Sequence, residues 1–328
     1  MILAGDIGGT NSRLAIFDDH LQKVEERIFK NAGRPSLIDI VDEFVRSVTH
    51  PIDRACFAVA GPVSEGKVTM NNLSWHIEEG QLAKDLKIEK ALLINDLRGH
   101  AEGIAVLGQD KFITLWAGRP VRGGGRAVVA AGTGLGEAGL AYDAKTGRYL
   151  SYPTEGGHTD FSPTNDEEDT LFRYLRTRFK RVYWELMLSG RGLRNLYDFY
   201  CATGKFSKKD ELPDQPAWAG AGPSPADISS AGVSGSSPVA VAALEFFVRL
   251  YGAEAGNFGL KTLATAGIYL GGGIAPRIAE KFKHPDFLKA LQSKGSDKIE
   301  EVMKAIPVHI INFELSGLYG AANYARHM

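Results

Sequence analysis

The sequence has few cysteines, no long apolar run and no excess of charge of either sign. Its 328 residues include only two cysteines, Cys56 and Cys201, which lie far apart and form no C-x-x-C pair. Neither a zinc site nor a disulfide framework is therefore indicated, and a reducing cytoplasm is the expected compartment. Cys56 lies within the apolar run 55–60, which is typical of a small buried thiol.

Low net charge and interrupted hydrophobicity exclude two further classes of partner. The formal net charge at pH 7 is -1 and no basic run goes beyond a pair such as Lys208-Lys209, so the sequence lacks the basic stripe of a nucleic-acid-binding protein. No segment approaches the roughly 18 consecutive apolar residues of a membrane span. Asp6 interrupts the first apolar stretch and no basic region precedes it, which argues against a signal peptide.

The composition that is present is typical of a folded globular protein, with 44% hydrophobic and 23% charged residues. The length allows two domains, each with its own core. Periodicity predicts an α/β architecture with a mixed sheet that starts antiparallel. The predicted strands cover 2–8, 12–18, 23–29, 55–60, 90–94, 126–131, 137–142 and 267–270. The predicted helices cover 36–48, 97–107, 238–263 and 315–326.

Two segments break these patterns. Residues 118–125 contain Arg119-Pro120 and three successive glycines, which indicates a nearby domain boundary. Residues 213–238 are rich in Pro, Gly, Ser and Ala, and are predicted to form an exposed excursion between helices.

Three glycine loops follow predicted strands, and the sequence strand, glycine turn, strand occurs once in each half. The loops are Gly5-Asp6-Ile7-Gly8-Gly9-Thr10-Asn11, Ala130-Ala131-Gly132-Thr133-Gly134-Leu135-Gly136 and Leu270-Gly271-Gly272-Gly273-Ile274-Ala275-Pro276. Glycine lets backbone N–H groups approach phosphate oxygens, so the loops predict a polyphosphate held from several sides. For a single glycine turn a tight hairpin is an equally good explanation. The acid beside the first turn and the repetition favour phosphate, with Asp6 holding Mg²⁺, directly or through water.

Asn95-Asp96 ends an apolar strand and begins a helix, at the sheet edge where α/β proteins place ligands. An acid there is suited to take a proton from an attacking alcohol, as a kinase base does. The alternative is that Asp96 only caps the helix.

Polar groups suited to sugar hydroxyls follow in the middle of the chain. Glu155-Gly156-Gly157-His158 places a carboxylate and an imidazole on either side of two glycines, in a segment without periodicity. The alternative for His158 is an ordinary surface histidine. Glu185, which follows Tyr183-Trp184, is a weaker candidate, and its alternative is a solvated acid on a helix. The polar segment 71–75 is a further candidate for the sugar pocket.

Other nucleotide-binding motifs are missing. The sequence has no G-x-x-x-x-G-K-[ST] loop, no H-R-D or D-F-G, and the glycines of 132–136 do not have the G-x-G-x-x-G spacing. A P-loop, a protein kinase and a dinucleotide-binding fold are therefore not indicated.

Taken together, the motifs resemble the sugar kinase, actin and chaperone ATPase superfamily, and most closely the bacterial ATP-dependent glucokinases. The resemblance covers residues 1 to 328, and the order of five motifs carries it. It implies a two-lobed actin-like ATPase (ribonuclease H-like) α/β fold with duplicated mixed sheets and a central cleft. The implied small domain is 1–109 plus 313–328, and the implied large domain is 110–312.

The resemblance also implies the roles of the residues. Asp96 would be the general base on the 6-hydroxyl of glucose, and the sugar ligands would be Asn95, Asp96, Glu155, His158 and Glu185. The ATP-binding residues would be Gly5, Asp6, Ile7, Gly8, Gly9, Thr10, Gly132, Thr133, Gly134, Gly271, Gly272 and Gly273. The implied protein is a cytoplasmic homodimer that makes glucose 6-phosphate, the first step of glycolysis, with ATP and Mg²⁺ and without zinc.

Where the sequence departs from related subfamilies, it resembles the zinc-free glucokinase branch. Related repressors and kinases carry a cysteine-rich zinc motif after the histidine, and the repressors add an N-terminal DNA-binding domain. Two cysteines cannot build that motif, and the first strand starts at Ile2. The remaining alternatives are a kinase for mannose, fructose or N-acetylglucosamine, a non-catalytic sugar-responsive regulator, and an actin-like filament protein.

Overall fold

The structure is a computed structural model that describes residues 1–70, 73–213 and 222–328. Asn71 and Asn72 of the predicted sugar-lining segment, and residues 214–221 of the predicted excursion, lie outside the described residues. The described chain forms two compact units. The first unit consists of Met1–Phe112, Leu140–Pro153 and Asn312–Met328, and the second of Ile113–Gly139 and Thr154–Ile311.

The elements follow the alternation of strands and helices that the sequence predicts. The strands are β1 Ile2–Ile7, β2 Asn11–Phe17, β3 Lys23–Lys30, β4 Arg54–Val59, β5 Lys67–Met70, β6 Trp75–Glu78, β7 Lys90–Asn95, β8 Phe112–Trp116, β9 Arg126–Ala131, β10 Leu135–Asp143, β11 Arg148–Thr154, β12 Gly267–Gly271 and β13 Val308–Ile311. The α-helices are α1 Leu37–Val45, α2 Glu79–Leu86, α3 Asp96–Ile104, α4 Asp166–Arg176, α5 Gly190–Ala202, α6 Pro225–Ser234, α7 Pro238–Lys261, α8 Pro285–Gln292, α9 Asp297–Ala305 and α10 Ser316–Arg326.

The sheet of the first unit has the strand order β3-β2-β1-β4-β7. β2 is antiparallel to both β1 and β3, whereas β4 is parallel to β1 and to β7. The predicted mixed sheet with an antiparallel start is therefore confirmed. β1 and β4 are buried almost throughout, as expected for strands with helices on both faces.

Two helices of the first unit show why the local sequence folds as it does. The apolar positions of α1 are spaced to form one face, and Leu37, Ile40, Val41 and Phe44 are buried on it. This helix ends at Val45 rather than at the predicted residue 48. α10 is rich in small residues and packs against β1, β4 and α3.

A second sheet has the order β11-β10-β9-β12-β13-β8, in which β12 is parallel to β9 and to β13. The central helix of the second unit is α7, which is buried along most of its length, including Phe246, Phe247 and Tyr251. The predicted helix over 238–263 is thereby confirmed. The repetition of strand, glycine turn and strand is also present, as β1 and β2 in one sheet and β9 and β10 in the other.

Residues 140–153 group with the first unit, whereas the sequence prediction assigned them to the large domain. Side-chain hydrogen bonds within the first unit explain the grouping. The Ser151 hydroxyl donates to Glu102 at 2.5 Å and accepts a hydrogen bond from Arg98 Nε at 3.0 Å.

The prediction of an exposed excursion over 213–238 is wrong for its second half. Residues 225–234 form α6, whose residues Ile228, Ala231 and Gly232 are buried. Ser224 and Asp227 form a capping box at the start of this helix, and Pro225 occupies its first turn. A composition typical of a loop therefore contains a helix-start signal.

Among the described residues, no single helix has the length and apolar character to cross a membrane. Only α6 and α7 taken together reach that length and composition, and they are bent by 98° at the break between them.

Candidate active site

The first glycine turn is a tight connection that a side chain from β3 holds in place. The Gly8 N–H donates to the Asn11 carbonyl at 3.0 Å. Asn31 follows β3 and is 1% exposed, and its side-chain amide donates to the Gly8 carbonyl at 2.8 Å. Its backbone N–H donates to the Thr10 carbonyl at 2.9 Å, and its amide oxygen accepts from the Ser12 hydroxyl at 2.7 Å. A tight hairpin and a phosphate-binding loop are therefore compatible interpretations of this turn. The turn is tight, and Gly9 and Thr10 are nevertheless exposed.

Sequence reasoning missed Asn31. The available signal in the sequence is an asparagine directly after the third predicted strand of an antiparallel meander. The end of that strand lies beside the turn that joins the first two strands.

We expect Asn31→Ala to lower the free energy of unfolding by about 1–3 kcal/mol, because the Gly8 carbonyl and the Ser12 hydroxyl lose their side-chain partner. Chemical denaturation with matched slopes measures the difference. Gln81→Ala is the control, since it removes an exposed hydrogen bond to Asp85 within α2. Equal stability of Asn31→Ala and the control would show that Asn31 does not hold the turn.

Gly5 and Ile7, both predicted to bind nucleotide, lie in the core behind the turn. A Cβ on Gly5 would lie 2.5 Å from Phe57 Cδ1, and Ile7 is fully buried. Gly5 and Ile7 therefore contribute to the packing of β1 in the core, while Gly8, Gly9 and Thr10 form the turn itself.

Two half-buried carboxyl groups of the first unit, Asp6 and Asp96, lie close enough to affect each other. Burial raises the pKa of Asp6 to about 6, and the nearby Arg13 partly offsets the effect. Burial also raises the pKa of Asp96, and the charge of Asp6 raises it further. Two carboxyls in this situation favour a bound proton or a cation. The Arg13 guanidinium is also bound to Glu26 at 2.9 Å.

Asn95 and Asp96 stand where β7 ends and α3 begins, as predicted. Asn95 is the residue that caps α3, because its side-chain oxygen accepts from the Leu97 N–H at 2.9 Å. The same N–H also lies 2.9 Å from an Asp96 carboxyl oxygen. The Asn95 amide nitrogen donates to the Gly61 carbonyl at 3.1 Å. The capping alternative therefore applies mainly to Asn95.

His100 lies one turn after Asp96 on α3, and sequence reasoning missed it. Its Nδ1 is 2.7 Å from the Ser316 hydroxyl at the start of α10. Burial lowers the pKa of His100, and the charge of Asp96 opposes that shift. The spacing of four residues on a predicted helix was the available signal.

α3 and α10 pack backbone against backbone through glycines. A Cβ on Gly320 would lie 1.7 Å from the Gly99 carbonyl oxygen, and one on Gly103 would lie 2.2 Å from the Ser316 carbonyl oxygen. A Cβ on Gly317 would lie 3.2 Å from Asp6 Oδ2. The helix that begins with Asp96 is thus fixed by contacts that leave no room for side chains.

In the second unit, Glu185 binds the second glycine loop. Its carboxylate accepts from the Leu135 N–H at 3.0 Å, and a Cβ on Gly134 would lie 2.5 Å from the same oxygen. The loop is closed by the Gly132 N–H, which donates to the Gly134 carbonyl at 2.8 Å, and Thr133 is exposed. Glu185 is half-buried in the short 3-10 helix Trp184–Leu186, so it is not a solvated acid on an amphipathic helix.

Glu155 precedes a second short 3-10 helix, Gly156–His158, and His158 is its last residue; both side chains are exposed. The His158 N–H donates to the Glu155 carbonyl at 3.0 Å, and the His158 ring lies 5.1 Å from that of Tyr183. The Trp184 N–H donates to the Thr159 carbonyl at 3.2 Å. The segment with Glu155 and His158 is therefore joined directly to the segment with Glu185.

The third glycine loop is tied to the second by Tyr251 of α7. The Tyr251 hydroxyl donates to the Val129 carbonyl at 2.8 Å and accepts from the Ala131 N–H at 3.1 Å. It also lies 3.3 Å from the Gly271 carbonyl oxygen. Gly272 has φ +78°, and a Cβ there would lie 2.2 Å from the Ala131 carbonyl oxygen. Gly273 follows with open space around it.

Sequence analysis identifies Tyr251 only as an apolar helix position, and so misses these hydrogen bonds.

Each unit contains some of the predicted site residues: Asp6, the first glycine turn, Asn95 and Asp96 lie in the first unit, and the other two glycine loops, Glu155, His158 and Glu185 lie in the second. In the described ranges, no cluster of three or more His, Cys, Asp or Glu side chains is arranged to hold a metal ion.

Comparison with known proteins gives a consistent family. The family model described as Glucokinase matches residues 3–328. The curated glucokinase of Nostoc sp. strain PCC 7120 is 35% identical, over 98% of this chain and 98% of that protein. The crystal structure of a glucokinase from an Antarctic psychrotroph superposes with a TM-score of 0.86 at 28% identity, covering 100% of this chain and 99% of that one. A ROK family glucokinase from Streptomyces griseus, in complex with glucose and AMPPNP, shares the fold with a TM-score of 0.65 at 20% identity, covering 100% of this chain and 99% of that one.

Proposed function

The chain belongs to the glucokinase family, and on that basis we propose that it transfers the γ-phosphoryl group of ATP to the 6-hydroxyl of glucose, giving glucose 6-phosphate and ADP. The Streptomyces griseus relative supports both substrates, because it was crystallised with glucose and AMPPNP. The observation that carries the proposal is the half-buried Asp96 at the junction of β7 and α3, beside a second half-buried carboxyl, that of Asp6.

Asp96 is the proposed general base. Its burial raises its pKa, so its carboxylate is a stronger base than an exposed aspartate. It accepts the proton of the 6-hydroxyl as that oxygen attacks the γ-phosphorus, and the leaving group is ADP. The Leu97 N–H, which lies 2.9 Å from the carboxyl, keeps it oriented.

The other proposed glucose ligands are Asn95, Glu155, His158 and Glu185. Glu155 and His158 are exposed, which leaves their polar atoms available for sugar hydroxyls. Glu185 has one oxygen on the Leu135 N–H, and a carboxylate retains further acceptor sites. The Asn95 amide is held at both ends by protein groups, which fixes the orientation in which it could donate its second N–H.

The proposed ATP-binding groups are the backbones of the three glycine loops. In the first unit they are Gly5, Asp6, Ile7, Gly8, Gly9 and Thr10, of which Gly9 and Thr10 are exposed. In the second unit they are Gly132, Thr133, Gly134, Gly271, Gly272 and Gly273. Gly134 and Gly272 have no room for a side chain, and Thr133 adds a hydroxyl.

Mg²⁺ is proposed to enter with ATP, and the carboxyls of the first unit fit it. Asp6 and Asp96 are oxygen donors of the kind Mg²⁺ prefers, and burial raises the pKa of Asp6 to about 6, which supports a site that gains from an added positive charge. Asp6 would hold the ion, directly or through water. The ion would neutralise phosphate charge.

We also propose a cytoplasmic homodimer that acts at the first step of glycolysis, uses no zinc and binds neither nucleic acid nor a membrane. The free thiols of Cys56 and Cys201 support a reducing compartment, and the net charge of -1 argues against nucleic acid. The dimer and the pathway rest on family resemblance. Light scattering after gel filtration measures the oligomeric state.

A coupled ADP-release assay with a panel of sugars tests the proposed function. Glucose should give the highest kcat/KM, since a site that contacts each hydroxyl rejects analogues by leaving buried polar groups unpaired. A higher kcat/KM with mannose, fructose or N-acetylglucosamine would show that this other sugar, and not glucose, is the preferred substrate. No release with any sugar would favour a non-catalytic regulator or a filament protein.

We expect Glu155→Gln to weaken glucose binding while nucleotide binding changes little, because the substitution removes a charged acceptor of hydrogen bonds from the sugar hydroxyls. Calorimetric titration with glucose, and separately with ATP, measures both affinities. Glu65→Gln is the control, since Glu65 is exposed in the turn before β5. Unaltered glucose affinity in Glu155→Gln would remove this residue from the site.

A further inference from the structure

Two buried acids of the second unit have no part in the proposed mechanism. Glu137 on β10 is 1% exposed and Glu254 on α7 is 0% exposed. Within the described ranges, no donor group reaches either carboxyl oxygen of Glu137 or the Oε1 of Glu254. Burying unsatisfied carboxyls is costly, so their position requires an explanation.

The Glu137 side chain supports the segment that carries Glu155 and His158. A Cβ on Gly156 would lie 1.7 Å from Glu137 Oε2, so the carboxyl lies directly against the Gly156 backbone. The Thr154 hydroxyl donates to the Glu137 carbonyl at 3.1 Å and accepts from the Gly156 N–H at 3.2 Å. Both the main chain and the side chain of Glu137 therefore contact the start of this loop.

The two carboxyls are close enough to hydrogen-bond each other through one proton. Burial raises the pKa of Glu137 to about 9, and the charge of Glu254 adds to that shift. Burial also raises the pKa of Glu254, while Asn257, Lys261 and Lys294 act in the opposite direction. At neutral pH the pair therefore retains at least one proton, which Glu137 carries.

Lys294, Tyr251 and Lys261 are titratable groups near the pair, and Glu168 acts on Lys294. Lys294 donates to the Ala253 carbonyl at 2.8 Å and to Asn257 at 2.9 Å, and burial lowers its pKa to about 8. Burial raises the pKa of Tyr251, so its hydroxyl stays neutral in the range of interest. Lys261 is exposed at the end of α7.

We propose that Glu137 is a positioning residue for the glucose-binding loop, and that it holds Gly156 in place only while the Glu137–Glu254 pair retains its shared proton. The inference rests on the proposed function, because it assumes that Glu155 and His158 bind glucose. Loss of the proton leaves two charges in one buried space, which drives the carboxyls apart and displaces the Gly156 backbone. The consequence is a glucose affinity that depends on a proton outside the reacting groups.

The experiment measures the glucose Kd by calorimetry without nucleotide, and the KM for glucose and for ATP, from about pH 7 to about pH 10. For the unmodified protein, the glucose Kd and KM should rise roughly tenfold as the pair deprotonates, with a smaller change in the KM for ATP. Glu137→Gln keeps the size and the donor while removing the titration, so its glucose Kd should stay flat with pH. Glu245→Gln, an exposed change of the same kind on α7, should follow the unmodified protein.

A second variant separates positioning from mere stability. Glu137→Ala should raise the glucose Kd about tenfold at neutral pH, and Glu137→Gln should restore it, because the amide again donates to Glu254. A rise in glucose Kd that persists in Glu137→Gln would assign the effect to another group, such as Lys294, and overturn the proposal. A pH-independent glucose Kd in the unmodified protein would also overturn it. Failure of the proposed function has a different result, namely no ADP release with glucose at any pH.

Discussion

We expect Asp96→Ala to lower kcat for glucose phosphorylation by roughly 10²–10⁴-fold, the range for loss of a general acid–base group, which is the role proposed for Asp96. The variant removes the carboxyl at the junction of β7 and α3 that is proposed to accept the proton of the attacking hydroxyl. ATP binding should change little, since the glycine loops supply most of the proposed phosphate contacts. The loss should therefore appear in kcat rather than in the KM for ATP.

Steady-state rates at saturating glucose, together with calorimetric ATP titration, measure this prediction. Asp110→Ala is the matched control, because Asp110 is an exposed aspartate of the same unit that pairs with Lys111 at 2.8 Å. Near-normal turnover of Asp96→Ala would remove this residue from the role of base. A loss of ATP affinity equal to the loss of kcat would instead indicate a damaged fold.

Gly320→Ala lowers the free energy of unfolding by about 1–3 kcal/mol or more, because overpacking a rigid contact forces the backbone to move. The added Cβ would lie 1.7 Å from the Gly99 carbonyl oxygen. A carbonyl in a helix cannot turn aside as a flexible side chain can. α3 must therefore shift away from α10, and Asp96 at its first position moves with it. Activity should fall together with stability.

Gly80→Ala provides the control for this substitution. Gly80 lies in α2, and nothing is within 4 Å of the position its Cβ would occupy. Alanine there should raise stability by about 0.4–1 kcal/mol, since it restricts the unfolded chain. Denaturant titrations of both variants give the comparison. If both variants changed stability in the same direction, the α3–α10 contact would not be as close as described.

Periodicity and turn residues were sufficient to predict the elements that build the frame of the first unit. β1, β2, β3, β4 and β7 lie where the apolar runs indicated, and the glycine turns separate the predicted strands. These features depend on near neighbours in sequence, which pattern reasoning captures. α6 was missed because its composition indicated a loop, although Ser224 and Asp227 already formed a capping box.

The groups that fix the site were harder to predict, because they act through contacts between distant residues. Asn31 reaches Gly8 from 23 positions away, and Tyr251 reaches Val129 from 122 positions away. Each looks ordinary in its own segment, one as a polar residue after a strand and the other as part of an apolar helix face. Glu137 similarly appeared as one residue of a strand, and nothing local indicated that Glu254 lies beside it.

The packing of α3 against α10 also determines when this protein can mature on the ribosome. His100 and Ser316 are 216 positions apart, so the first unit lacks a supporting helix until most of the chain has been translated. Residues 154–311 of the second unit emerge before that helix. Although synthesis starts at the other end, the second unit can therefore complete its core first. The position of α3, and with it that of Asp96, is therefore fixed only after α10 has been synthesised.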